Sequence, residues 1–170
     1  MSQRQKGFNG GIKKGTTAFD KDSLKLDGSL KSAIDKLSKK FPLLDVIRQM
    51  KKEMKIRLVG DDCFGFAPDG GAWFKDGKLV AVFEAKKQGE GGNAYERWWD
   101  NANTAKYINP DVIYVTFCSG PGASKDKCLD KLSRKASIML GENFRFFKKV
   151  KGFEQKEIEN IMFQILKEVA

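Results

Sequence analysis

The chain has no histidine in its 170 residues. That removes Ser-His-Asp and Cys-His catalysis, histidine-ligated zinc and histidine general bases. Any catalysis has to use carboxylates, lysine and a metal ion. Cysteine is scarce too: Cys63, Cys118 and Cys128 form no CxxC and leave an odd thiol. The expectation is reduced thiols in a cytoplasm, not a disulfide framework. Cys118 lies in an apolar run and reads as a core residue. No apolar run approaches the roughly twenty residues that span a bilayer. Met1 to Gly15 is polar and glycine-rich, without the apolar centre of a signal peptide.

What is present is a basic, globular composition. Hydrophobic residues make up 41% and charged residues 32%, which favours a folded domain over disorder. Formal net charge is +10, which points to an anionic partner, nucleic acid first among them. Residues 1–23 are rich in glycine, lysine and arginine and read as a basic arm, either a plain tail or a segment that contacts phosphates. Residues 24–170 have no internal repeat, linker or low-complexity block and read as one domain.

Periodicity divides that domain into elements. Leu30, Ala33, Ile34 and Leu37 have helical spacing, with Asp27 to Ser29 as caps. Leu43, Leu44, Ile47 and Met50 predict a second helix ending near Lys55, and Ile56–Val59 a first strand. Gly71–Phe74 and Leu79–Phe83 predict a hairpin across Asp76-Gly77. Residues 93–107 are helical in tendency and long enough for a crossover. Val112–Cys118 predicts a central strand beside the one carrying Glu84. A helix over Ser124–Leu140, a short strand over Phe144–Val150 and an amphipathic helix over Phe153–Val169 complete the chain. The expected fold class is α/β, a three-layer sandwich of a mixed central sheet flanked by helices.

Candidate chemistry sits around the hairpin. Period two puts Glu84 and Lys86 on one face of their strand, and Asp69 lies within reach of its open end. Two carboxylates suit Mg²⁺, a hard ion that keeps waters and takes phosphate oxygens. Lys86 can orient or deprotonate a water, or balance charge on a phosphate. This is the PD…ExK pattern of metal-dependent DNA nucleases. Asp35, Asp45 and Glu53 are candidate accessory acids, with nothing to choose between them. Next comes Lys87-Gln88-Gly89 and then Gly92-Asn93-Ala94-Tyr95-Glu96-Arg97. Asn93 suits an N-cap, and Asn93, Ala94 and Arg97 at a helix start suit base edges.

PDGG at Pro68–Gly71, EAK-x-QG at Glu84–Gly89 and GNA-x-ER at Gly92–Arg97, in that order, resemble the EcoRI/MunI-like family of type II restriction endonucleases, within the PD-(D/E)xK nuclease superfamily. The resemblance covers roughly residues 40–170 and implies a restriction-endonuclease-like fold. It implies Mg²⁺-dependent hydrolysis of DNA phosphodiester bonds at a short palindrome, AATT-containing as a first guess. Asp69, Glu84 and the Ala85 carbonyl would be metal ligands, and Asp69, Glu84 and Lys86 the catalytic residues. Lys87, Gln88, Gly92, Asn93, Ala94, Arg97, Lys131 and Arg134 would face DNA, Lys131 standing where the family has arginine. Partners would be double-stranded DNA and a second copy of the chain, with no membrane and no organic cofactor. Only six residues separate Lys86 from Asn93, so the family's long DNA-wrapping arm has no counterpart there. The alternatives are a strand-nicking subunit of a heterodimeric enzyme and a sequence-specific DNA-binding module without catalysis.

Overall fold

The computed structural model describes residues 18–60, 66–86, 92–120 and 127–170, with side chains omitted at 18–24, 92–95, 127–129 and Leu132. Helix α1 spans Ala18–Lys40. Leu26, Leu30, Ala33, Ile34 and Leu37 are buried along one stripe of it. Leu26 extends the stripe a turn before the expected start, so the helix runs straight through Gly28 instead of being capped at Asp27–Ser29. Residues 18–23, grouped with the arm on composition, are helical backbone. The rest of that arm lies outside the described residues.

The next stretch departs from the sequence reading. Of the predicted helix over Leu43–Lys55, Leu44–Ile47 is strand β1 and only residues 52–55 are helical. The predicted strand over Ile56–Val59 is part of helix α2, Lys52–Val59. The apolar spacing of Leu43, Leu44, Ile47 and Met50 imitates a helical face, yet Leu43 is 77% exposed while Leu44 is buried. Strand pairing with the hairpin overrides the local pattern. Helix α2 ends where its sequence says it can, at Gly60 in the left-handed region, which donates its N–H to the Ile56 carbonyl.

Strands β2 (Ala72–Lys75) and β3 (Lys78–Lys86) form the expected hairpin. Both turn residues have positive φ, 50° at Asp76 and 77° at Gly77, as a type I′ turn requires. Helix α3 (Gly92–Ile108) crosses over to β4 (Ile113–Ser119), and α4 (Lys127–Leu140) to β5 (Phe144–Lys149). Helix α5 (Gln155–Val169) opens on a capping box between Glu154 and Glu157.

The sheet has five strands in the order β1-β2-β3-β4-β5. The first three are antiparallel neighbours, and β3, β4 and β5 run parallel. Alternation along the strands gives each face its own core. Ala81, Phe83, Ala85, Val115 and Phe117 pack against α1 and α5. Val82, Tyr114 and Phe144 pack with Trp98, Ala102 and Ala105 of α3 and Ala136 and Leu140 of α4. The protein is therefore a mixed α/β fold with an open mixed sheet and helices on both faces, compatible with the expected sandwich. Among the described residues, no helix is long and apolar enough to cross a membrane.

Candidate active site

The site forms where one strand of the hairpin stops and the other continues. β2 begins at Ala72, opposite Val82, while β3 runs on to Lys86. The PDGG segment lies beside this overhang. Gly70 donates its N–H to the Phe83 carbonyl at 2.8 Å, and Phe83 donates to the Gly71 carbonyl at 3.2 Å. Two residues further on, a side chain takes over the ladder: the Ala85 N–H donates to Asp69 Oδ2 at 3.1 Å. Backbone groups of alternate strand residues face the same edge, so the Ala85 carbonyl points toward the edge where Asp69 stands.

The two glycines allow this approach. A Cβ on Gly70 would lie 2.5 Å from the Phe83 Cβ and 3.0 Å from the Phe83 carbonyl oxygen. Gly71 has φ +83°, and a Cβ there would meet Val46 Cγ2 at 2.6 Å. Gly70→Ala is expected to cost about 1–3 kcal/mol by overpacking. It should also push Asp69 away from β3. Thermal unfolding will read the first effect. A variant as stable as wild type would show that the approach is not this tight.

On the sheet face toward α3, Glu84 pairs in register with Thr116 and Lys86 with Cys118. The Glu84 residue is half-buried, but its Oε2 is covered and has no hydrogen-bond partner. Its carboxylate accepts hydrogen bonds from the Asn101 side chain and from the Asp69 backbone N–H. Burial, followed by the nearby Asp69 carboxylate, pushes the Glu84 carboxyl well above its ordinary range; Asn101, Lys86 and the Asp69 N–H pull the other way without cancelling it. A partnerless buried carboxylate oxygen beside a second carboxylate is costly. A divalent cation would remove that cost. Two carboxylates and one carbonyl match the sparse oxygen set that Mg²⁺ accepts while keeping waters. Among the described residues, no group of three or more His, Cys, Asp or Glu side chains is placed to hold a metal ion, and this set has two carboxylates.

Lys86 is 5% exposed. Its ammonium acts on both the Glu84 carboxyl and the Cys118 thiol. Burial pushes that thiol up to about 12, so Cys118 stays protonated in the core. Helix α3 is pinned over the site by Trp98, whose Nε1 donates to Thr116 Oγ1 at 2.9 Å. Asn101 is three residues further along the helix, one turn on, where it reaches Glu84. Trp98 is thus the core member of the tryptophan pair, and Trp99 is half-buried. Tyr114, buried beneath, keeps its proton: burial first, then Glu84 and Asp69, raise its phenol well above the usual value.

Sequence reasoning missed Asn101, Thr116 and Tyr114. Asn101 had one legible sign, a polar residue on the apolar stripe of Trp98, Ala102 and Ala105. Of the residues expected to face DNA, Arg97, Lys131 and Arg134 are exposed on α3 and α4. Gly92 is the first residue of α3. The side chains of Asn93 and Ala94, and all of Lys87 and Gln88, lie outside the described residues. Asp35, Asp45 and Glu53 are exposed, and none is among the groups that shift Glu84.

Comparison with protein-family models, with curated proteins and with solved structures yields no match for this chain.

Proposed function

We propose that this protein is a Mg²⁺-dependent DNA endonuclease of the type II restriction class, acting as a homodimer on a short palindromic site. The observation that carries the reading is the bond from the Ala85 N–H to Asp69 Oδ2, 3.1 Å long. It joins residues sixteen apart in sequence and brings one carboxylate to the strand that carries Glu84 and Lys86. Asp69, Glu84 and the Ala85 carbonyl would hold the ion. Bound there, Mg²⁺ supplies a Lewis acid for the scissile phosphate and makes a water more acidic. Lys86 supplies a fixed positive charge next to the phosphate as negative charge builds on it. Asn101 fixes the Glu84 carboxylate, and Trp98 fixes the helix that carries Asn101. The net charge of +10 favours a polyanionic substrate. Exposed Arg97, six residues into a helix that starts shortly after β3, is placed to meet DNA engaged at the site.

Incubation with supercoiled plasmid tests this. Linear product in Mg²⁺, and none in EDTA, is expected; sequencing of the ends then gives the site and tests the AATT guess. Nicked circles without linear DNA would favour a single-strand nicking subunit. Intact plasmid across a range of sites and divalent ions would sink the nuclease reading.

A further inference from the structure

A shallow cleft opens at the carboxyl ends of β4 and β5, on the α1 side of the sheet. Lys25 and Lys151 stand at its rim, Leu26 and Phe153 form its floor, and Ser119 and Gly152 form its wall. Among the described residues, no carboxylate lines it. Three acids of the surrounding elements are engaged in ion pairs: Asp130 with Lys148 at 3.0 Å, Glu157 with Lys149, and Glu159 with Lys36 at 2.6 Å. Gly152 has φ 87°, and a Cβ there would meet nothing within 4 Å, so the mouth stays open. Two ammonium groups over a buried apolar floor make a surface that favours an anion attached to a carbon skeleton.

The position relates the cleft to the candidate active site. Lys86 pairs with Cys118, and Ser119 is the next residue. One strand across and one residue along separates the two backbone positions by roughly 6 Å, from about 4.8 Å between strands and about 3.3 Å per residue, but alternation turns Lys86 toward α3 and Ser119 toward α1. The cleft and the candidate site thus share the carboxyl edge of the sheet and open on its opposite faces.

We propose that this cleft binds a backbone phosphodiester group of DNA engaged across that edge. Lys25 and Lys151 contact the phosphate, and Leu26 and Phe153 face the sugar. The proposal rests on the nuclease reading for the identity of its ligand. It assigns a substrate contact to α1 and to the segment between β5 and α5, which the catalytic residues do not use.

The test compares the full chain with Lys25→Ala/Lys151→Ala in binding random-sequence duplex DNA, with Ca²⁺ in place of Mg²⁺. Each lost phosphate contact lowers the slope of log K against log salt by about 0.9, so the double variant should lose about 2 in slope. Lys39→Ala/Lys167→Ala removes the same charge from exposed positions elsewhere and should leave the slope nearly unchanged. In cleavage, the cleft variant should raise KM and spare kcat. Equal slopes for the two double variants would overturn the proposal. Should the wild-type chain bind no duplex at all, it is the nuclease reading that fails. Titration with inorganic triphosphate, followed by the amide resonances of Ser119, Gly120 and Gly152, then decides the cleft: shifts there keep it as a phosphate site, and their absence rules it out.

Discussion

Lys86→Ala is expected to lose DNA cleavage by roughly 10²- to 10⁴-fold, the range for removing a proton-transfer or charge-stabilising group from an active site. Binding to duplex DNA in Ca²⁺ should change little, because one buried lysine adds little to a surface field built from 32 lysines and arginines. The split between binding and cleavage is the informative part. Lys86 is 5% exposed and sits in register with Cys118, on the face where Glu84 lies. A lysine held there for structure alone would report through thermal stability, with cleavage falling only as the folded fraction falls. Single-turnover cleavage and a melting curve on the same sample separate the two cases. Full cleavage by the folded variant would remove Lys86 from the proposed mechanism.

Glu84→Gln should make the metal-free protein more stable and cleavage undetectable. The sign follows from the raised Glu84 carboxyl. Its folded-state value lies above its unfolded value, so the folded form binds the proton more tightly. Stability from this group is fully present below the ordinary glutamate range. It is lost as pH rises through that range to the raised value, and stays lost above it. Glutamine removes the charge and the loss together, so the variant's stability should fall less over that pH window. Metal should reverse the order. In wild type, Mg²⁺ at about a hundred times its Kd should add about 2.7 kcal/mol. For a domain of this size that is a rise of about 5–10 °C in Tm. The variant should show little of that rise. A metal-free Tm below wild type, with the Mg²⁺ response intact, would mean that Glu84 is not a ligand and that its carboxylate is structural.

Local chemistry made several elements legible in advance. Asp76-Gly77 can adopt two successive positive φ angles, so the β2–β3 hairpin follows from it. The β-branched and aromatic run before Cys118 specified a buried strand, and every residue of β4 is buried. The helical spacing of Ile158, Ile161, Met162, Ile165 and Leu166 specified a face of α5, and all are buried except Ile161, which is half-buried. By contrast, the segment from Leu43 to Val59 misled, because its apolar spacing fits a helix and a strand about equally well. Which one forms depends on β2, about thirty residues away, whose backbone offers β1 a ladder.

The candidate site divides along the same line. Sequence by itself put Glu84 and Lys86 on one face, because period two along a strand is local, and named Asp69 from the Pro68-Asp69 pair before the hairpin. It could not name Asn101, or show that Glu84 Oε2 is buried without a partner. Those depend on where α3 lies over the sheet, and Trp98 sets that position through its bond to Thr116. Periodicity determines faces, whereas distances between elements, and the burial that shifts a carboxyl group, arise only when the packed layers meet.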